Sequence, residues 1–178
     1  PSLALELTSF QVRNLSPTAL VHGLSIAETP HLLLTGKTAL QTRFDLANNA
    51  TLNGRGGESI QLDGETYIAT LGLRYGLSDQ LQIGIDLPWV WHSKGFMDSF
   101  INDLHDFFGF STGDRDALKN NQLDYLYARD SDERLRLQDE VDSLGDVRLQ
   151  LAWQFKTTEQ SAFTLQTQLK APTGDADK

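Results

Sequence analysis

Between Thr66 and Trp91 the chain reads TYIATLGLRYGLSDQLQIGIDLPWVW, and this alternation in twos restricts the possible folds more than any other stretch. Tyr67, Ala69, Leu71, Leu73 and Tyr75 fall on one face of an extended strand, and Ile68, Thr70, Gly72, Arg74 and Gly76 on the other. After Leu77, Ser78, Asp79 and Gln80 the pattern resumes. Leu81, Ile83, Ile85, Leu87, Trp89 and Trp91 then alternate with Gln82, Gly84, Asp86, Pro88 and Val90. Two such runs around a short polar turn predict an antiparallel hairpin. Its arms exceed the usual strand of about five or six residues and approach what a tilted strand needs to cross a bilayer. The apolar face has Tyr75 at one end, Trp89 and Trp91 at the other and aliphatics between, the order of a lipid-facing surface with amphipathic rings at both interfaces.

The plan recurs downstream. Val147, Leu149, Leu151, Trp153 and Phe155 alternate with Asp146, Arg148, Gln150, Ala152, Gln154 and Lys156; after the turn Thr157 to Ser161, Phe163, Leu165, Thr167, Leu169 and Ala171 oppose Thr164, Gln166, Gln168 and Lys170. A weaker strand is expected from Leu32 to Leu46, a loop over Ala47 to Glu58, and a strand restarting near Ser59 with a bend at Asp63 and Gly64. Residues 1–30 read as an irregular lead-in. The long connection 92–144 holds an amphipathic helix, about 96–109, whose Phe96, Phe100, Ile101, Leu104, Phe107 and Phe108 recur at threes and fours. Asp98 or Ser99 is expected to cap it, and its apolar side chains to pack on a barrel wall or rim and restrict any passage. A small hairpin turns through Asp130, Ser131 and Asp132, with arms too short to span.

Composition narrows the function classes. A formal net charge of −9 and no basic patch exclude a nucleic-acid partner. With no Cys there is no disulfide, thiolate nucleophile or Cys-ligated metal. No run of apolar residues is long enough for a transmembrane helix, which leaves strands untouched as spans. The sequence holds no secretory leader, so an envelope location requires that one was removed or not included. His105 lies near Asp98, Asp103 and Asp106, but the spacing of a metal helix is missing; Asp130, Asp132 and Glu133 lack the Gly and distal Glu of a calcium loop. Ser, His and Asp occur without a nucleophile context, so no metal, cofactor or catalytic residue is assigned and an enzyme is not expected.

The segments VRNLSP (Val12 to Pro17), LDGETY (Leu62 to Tyr67), YGLSDQLQIGIDLPW (Tyr75 to Trp89), DSFINDLHDFFGF (Asp98 to Phe110) and LGD (Leu144 to Asp146) resemble the DUF3187 outer-membrane proteins. LKAPTGD, Leu169 to Asp175, is similar to a wider group of barrels associated with aromatic-compound degradation. The resemblance implies an all-β fold: an antiparallel meander of long amphipathic strands forming the amino-terminal portion of a transmembrane β-barrel, incomplete at its carboxyl end, in the outer membrane of a Gram-negative bacterium. Lipid or lipopolysaccharide would surround it.

The lumen-facing candidates are Arg74, Gln82, Asp86, Arg148, Gln150, Gln154, Gln166, Gln168 and Lys170. Asp98, Phe100, Leu104, His105 and Phe108 mark the loop helix. Inward Arg and Asp would set selectivity in a path for a small-molecule solute, or pack as a hydrogen-bonded core with no passage. The two leading expectations are thus a channel or small-molecule-binding barrel and a non-transporting barrel that presents its outer loops. A soluble β-sandwich also fits the alternation.

Overall fold

The computed structural model describes residues 12–21, 26, 28–158 and 160–174. They form one antiparallel sheet of eight strands with little helix. The strands are β1 (Thr38–Arg55), β2 (Glu58–Ser78), β3 (Leu81–Ser93), β4 (Asp124–Arg129), β5 (Asp132–Leu137), β6 (Val141–Leu144), β7 (Arg148–Thr157) and β8 (Ala162–Lys170). Helix α1 (Pro17–Val21) lies in the lead-in, α2 (Asp98–Phe108) follows β3, and a 3-10 turn spans Gly113–Ala117. Residues 1–11, 22–25 and 27 of the expected lead-in and the Asp175 end of LKAPTGD lie outside the described residues.

The predicted hairpins form in register. Tyr67 pairs with Trp91 and Tyr75 with Ile83 across β2 and β3; Arg148 pairs with Lys170 across β7 and β8. β2 is the axis of the sheet. From Glu58 to Tyr75 one edge carries β1; the other is divided between β4 at Glu58–Asp63 and β3 from Glu65 onward. β3 likewise divides its far edge between β7 at Leu81–Asp86 and β6 at Trp89–His92. The turn after β4 is a two-residue connection in which Asp130 (φ 52°) and Ser131 (φ 67°) take the left-handed conformation that matches strand twist.

The bounds of the first strand and the loop expected after it are corrected. The strand expected over Leu32 to Leu46 starts only at Thr38, and Ala47 to Arg55, expected to be loop, continues it. β1 and β2 meet at a tight Gly56–Gly57 turn and run as a ribbon about 60 Å long, so only one of the two long connections survives. Besides α2, the connection 92–144 holds the expected small hairpin as β4 and β5, and a further short strand, β6. The sheet is also not closed: among the described residues no strand covers the outer edge of β1 or β8.

Burial follows the alternation, with its usual sign inverted. On β2, Ile68, Thr70, Gly72, Arg74 and Gly76 are buried while Leu71, Leu73, Tyr75 and Leu77 are exposed. Leu81, Ile83, Leu87 and Trp89 of β3 and Leu149, Leu151, Trp153 and Phe155 of β7 extend the exposed apolar band. Rings cluster at both ends of it. Tyr67 stacks on Trp91 (5.3 Å), with Phe44 beside both; at the other end Phe155 lies between Trp153 (5.6 Å) and Phe163 (6.2 Å). The apolar core proper is small, Leu62, Leu123 and Tyr125, where β2 meets β4.

Candidate functional site

The buried face is covered by the amino-terminal segment, which the sequence presents only as irregular chain. Its ties are mostly backbone groups reaching strand side chains. Leu33 N–H donates to Gln82 Oε1 (2.9 Å), and the Pro30 carbonyl accepts from Gln154 Nε2 and Thr164 Oγ1 (2.6 Å each). Gly36 N–H donates to the Gly76 carbonyl and Gly76 N–H to that of Lys37. A Cβ on Gly76 would lie 2.5 Å from the Leu34 carbonyl oxygen, so the close approach of segment to sheet requires glycine.

Glu28 brings the segment's charge onto this face. Arg74 reaches Glu28 Oε1 through Nη2 (2.6 Å) and Asp86 Oδ1 through Nη1 (2.8 Å), and also donates to the Leu73 and Ile85 carbonyls. Gly84 makes room: a Cβ there would meet Arg74 Cδ at 2.7 Å and Gln150 Oε1 at 2.8 Å. Asp45 receives both Arg13 (2.8 Å) and Arg43 (2.9 Å), and Lys170 pairs with Asp146 (2.8 Å). Of the residues singled out from sequence, Arg74, Gln82, Asp86, Arg148, Gln150 and Gln154 are buried on this face; Gln166, Gln168 and Lys170, on the edge strand β8, are half-buried. A cavity of about 420 Å³ remains beside Glu28, Arg74, Asp86, Gln166 and Gln168.

Helix α2 lies elsewhere. Glu65, fully buried, accepts from Phe96 N–H (3.0 Å), Met97 N–H (2.7 Å) and the Tyr67 hydroxyl, while Asp98 accepts from Asn48 Nδ2 (2.7 Å), Asn121 N–H (2.7 Å) and Arg115 Nη1 (3.1 Å). Asn48 and Glu65 are cross-strand partners and share the face of Leu46 and Tyr67, so α2 is anchored on the exposed apolar side, just beyond the Phe44–Tyr67–Trp91 cluster. Two expectations fail here. Neither Asp98 nor Ser99 caps the helix, whose N-cap is Met97; Asp98 is spent on the loop instead. Nor are the apolar side chains packed on a wall: Phe96, Phe100, Leu104, Phe107 and Phe108 are exposed, Phe107 to 82%. Gly109 ends the helix in the left-handed conformation (φ 68°), with Phe110 N–H returning to the His105 carbonyl. The His105 ring meets Phe110 edge-on; among the described residues no group of acidic and His side chains could hold a metal ion.

Glu28, Asp45, Asn48, Glu65 and Thr66 belong to these networks and were not singled out from the sequence. Thr66 and Asp45 carried a signal, since Thr66 continues the buried parity of β2 and Asp45 shares a face of the first strand with Arg43. The Thr66 hydroxyl meets Tyr125 Oη (3.1 Å) and His92 Nδ1 (3.0 Å), and Asn49 joins them.

Asp63, on β2 beyond the aromatic cluster, has a buried Oδ2 without a partner and faces Asp124 across the strand pair. Burial first, then Asp98 and Asp124, pushes its carboxyl up to about 6. The folded protein therefore holds this proton more tightly than the unfolded chain; the contribution is full below about 3.8 and is lost as pH rises through about 6. Asp63→Asn should gain roughly 1 to 3 kcal/mol at pH 7 and little near pH 4. Denaturation midpoints of both proteins across that range check it, and a pH-independent difference would remove the assignment.

Fold and face together define an all-β protein built on one open antiparallel sheet, polar where it is covered and apolar where it is exposed. The chain belongs to the DUF3187 family, described as a protein of unknown function, whose profile matches residues 2–178. No curated protein and no solved structure matches it significantly.

Proposed function

We propose that the chain is part of an outer-membrane β-barrel of a Gram-negative bacterium that binds or passes small molecules along its covered face. The observation carrying this reading is the inversion of burial: an ion-paired, hydrogen-bonded face inside and a continuous aliphatic band outside, ringed by aromatics. The dimensions agree. From Trp91 to Leu81, the partner of Trp153, ten residue steps cover about 33 Å of strand, which projects to about 25 Å at a tilt near 40°, the height of an outer-membrane apolar band. Open edges on β1 and β8 leave room for the further strands that lipid demands. The exposed Phe side chains of α2, held at the level of one aromatic cluster on the apolar side, suit a helix lying in the bilayer interface.

The amino-terminal segment favours binding or restricted passage over a wide pore, because it crosses the face from β2 to β8. Reconstitution of the full-length protein in liposomes tests this. The expected result is insertion, seen as heat-modifiable electrophoretic mobility, with slow entry of small neutral solutes that accelerates when residues 12–34 are deleted. Failure to insert would sink the barrel reading. Insertion with no entry in either form would leave the second reading, a barrel that only presents its outer loops, for which the exposed aromatic surface of α2 speaks.

A further inference from the structure

Arg148 opens β7 on the covered face, is only 7% exposed, and has no hydrogen bond or ion pair among the described residues. Its neighbours explain why. Asp86, its partner on β3, is engaged by Arg74; Asp146 is engaged by Lys170, and Asp45 by Arg13 and Arg43. One strand step-pair further along the same face, Gln150 is 5% exposed with both side-chain polar atoms unpartnered. A guanidinium and an amide held this far from water without partners are costly unless something supplies them.

The space beside Arg148 fits a ligand. It lines a cavity of about 480 Å³, within the range of small-molecule pockets, whose other walls include Leu20 of α1, Ile68 of β2, Pro88 and Val90 of β3 and Leu144 of β6. A chamber with one largely apolar wall and, among the described residues lining it, one unpaired planar cation selects an apolar body carrying an oxyanion, and the fork geometry of guanidinium matches a carboxylate bidentately. Charge restricts the choice further. Asp146 and Lys170 line the same cavity but are paired with each other, so among the described residues that line it Arg148 is the unpaired charge, which a monoanion neutralises and a dianion would exceed.

We propose that this cavity binds an aliphatic monocarboxylate, its carboxylate on Arg148 and its chain against Leu20, Pro88, Val90 and Leu144. The inference deepens the reading above by naming a ligand class for the covered face, and it rests on that reading for the placement of the cavity inside a barrel. The test is calorimetric titration of the full-length protein in nanodiscs with octanoate and, as the uncharged counterpart, 1-octanol. Wild type should bind octanoate at least tenfold more tightly than octanol. Arg148→Gln should lose that preference while leaving octanol binding unchanged. Leu20→Asp, on the short surface-borne α1, should also weaken octanoate tenfold or more, which keeps the proposal open to refutation if Arg148→Gln does not fold. Inserted wild-type protein that prefers octanol or binds neither, or variants that bind octanoate like wild type, would overturn it. Octanoate binding dependent on Arg148 in protein that does not insert would refute the barrel reading and leave this site standing.

Discussion

Replacing Arg74 with Met is expected to cost up to about 3 to 5 kcal/mol of folding stability, because it removes one side of a buried pair and leaves Asp86 charged with its hydrogen bond gone, and Arg148, its neighbour on β7, recovers part of the loss only by moving toward it. Glu28, more exposed, can turn toward water and adds less. The double variant Arg74→Met/Asp86→Leu should recover much of the loss, since two buried charges replaced by apolar groups of similar size are often neutral or better. Equilibrium denaturation of the single and double variants measures this. A single-variant cost below about 1 kcal/mol would mean that water screens the pair. The covered face would then be a wet passage, where the hydrogen bonds to Gln82 and Gln154 describe a packed one.

Ile85→Arg is the second large effect, and its size depends on the solvent outside the sheet. Ile85 stands in the middle of the apolar band, paired with Leu73 on one side and Leu149 on the other. Facing lipid near the midplane, an Arg there costs about 2 to 4 kcal/mol; facing water, it changes stability by about half a kcal/mol or less. Urea unfolding from vesicles gives the number, and a near-neutral result would favour the soluble β-sandwich over a barrel. Arg at Gly84 is the control for orientation. It acts by collision with Arg74 and Gln150 on the covered face and is insensitive to lipid.

The strands that alternate cleanly were legible in the sequence, and so was which residues share each face. Arg74, Gln82 and Asp86 could be grouped because a period of two fixes sidedness before any packing is known. The second half of β1 was not legible. Asn48, Asn49, Asn53 and Gly54 are turn-forming types. They are held extended by contacts distant in sequence: the Asn49 amide donates to Thr66 Oγ1 (3.2 Å) and Tyr125 Oη (3.0 Å), the latter residue 76 positions away. β6 was too short to register as a pattern. The packing of the amino-terminal segment was hidden for a different reason, since its ties use carbonyls and amides that every residue type carries. The α2 expectation failed on the premise that exposed Phe side chains need a protein partner; their anchor is instead the carboxylate of Glu65 and that of Asp98.

The Pro30 carbonyl receives its two hydrogen bonds from residues 124 and 134 positions downstream. Among the described residues both donors to that carbonyl belong to the last hairpin, β7–β8. Ring closure over such a span brings an entropy cost that no early contact offsets. The Pro30 carbonyl is thus among the last groups of the segment to find its partners: Glu28 and Leu33 meet theirs on β2 and β3, and Pro30 waits until β7 and β8 have joined. Refolding followed by hydrogen exchange would report this order, with protection of the Gln154 side-chain amide lagging behind that of the β2–β3 ladder.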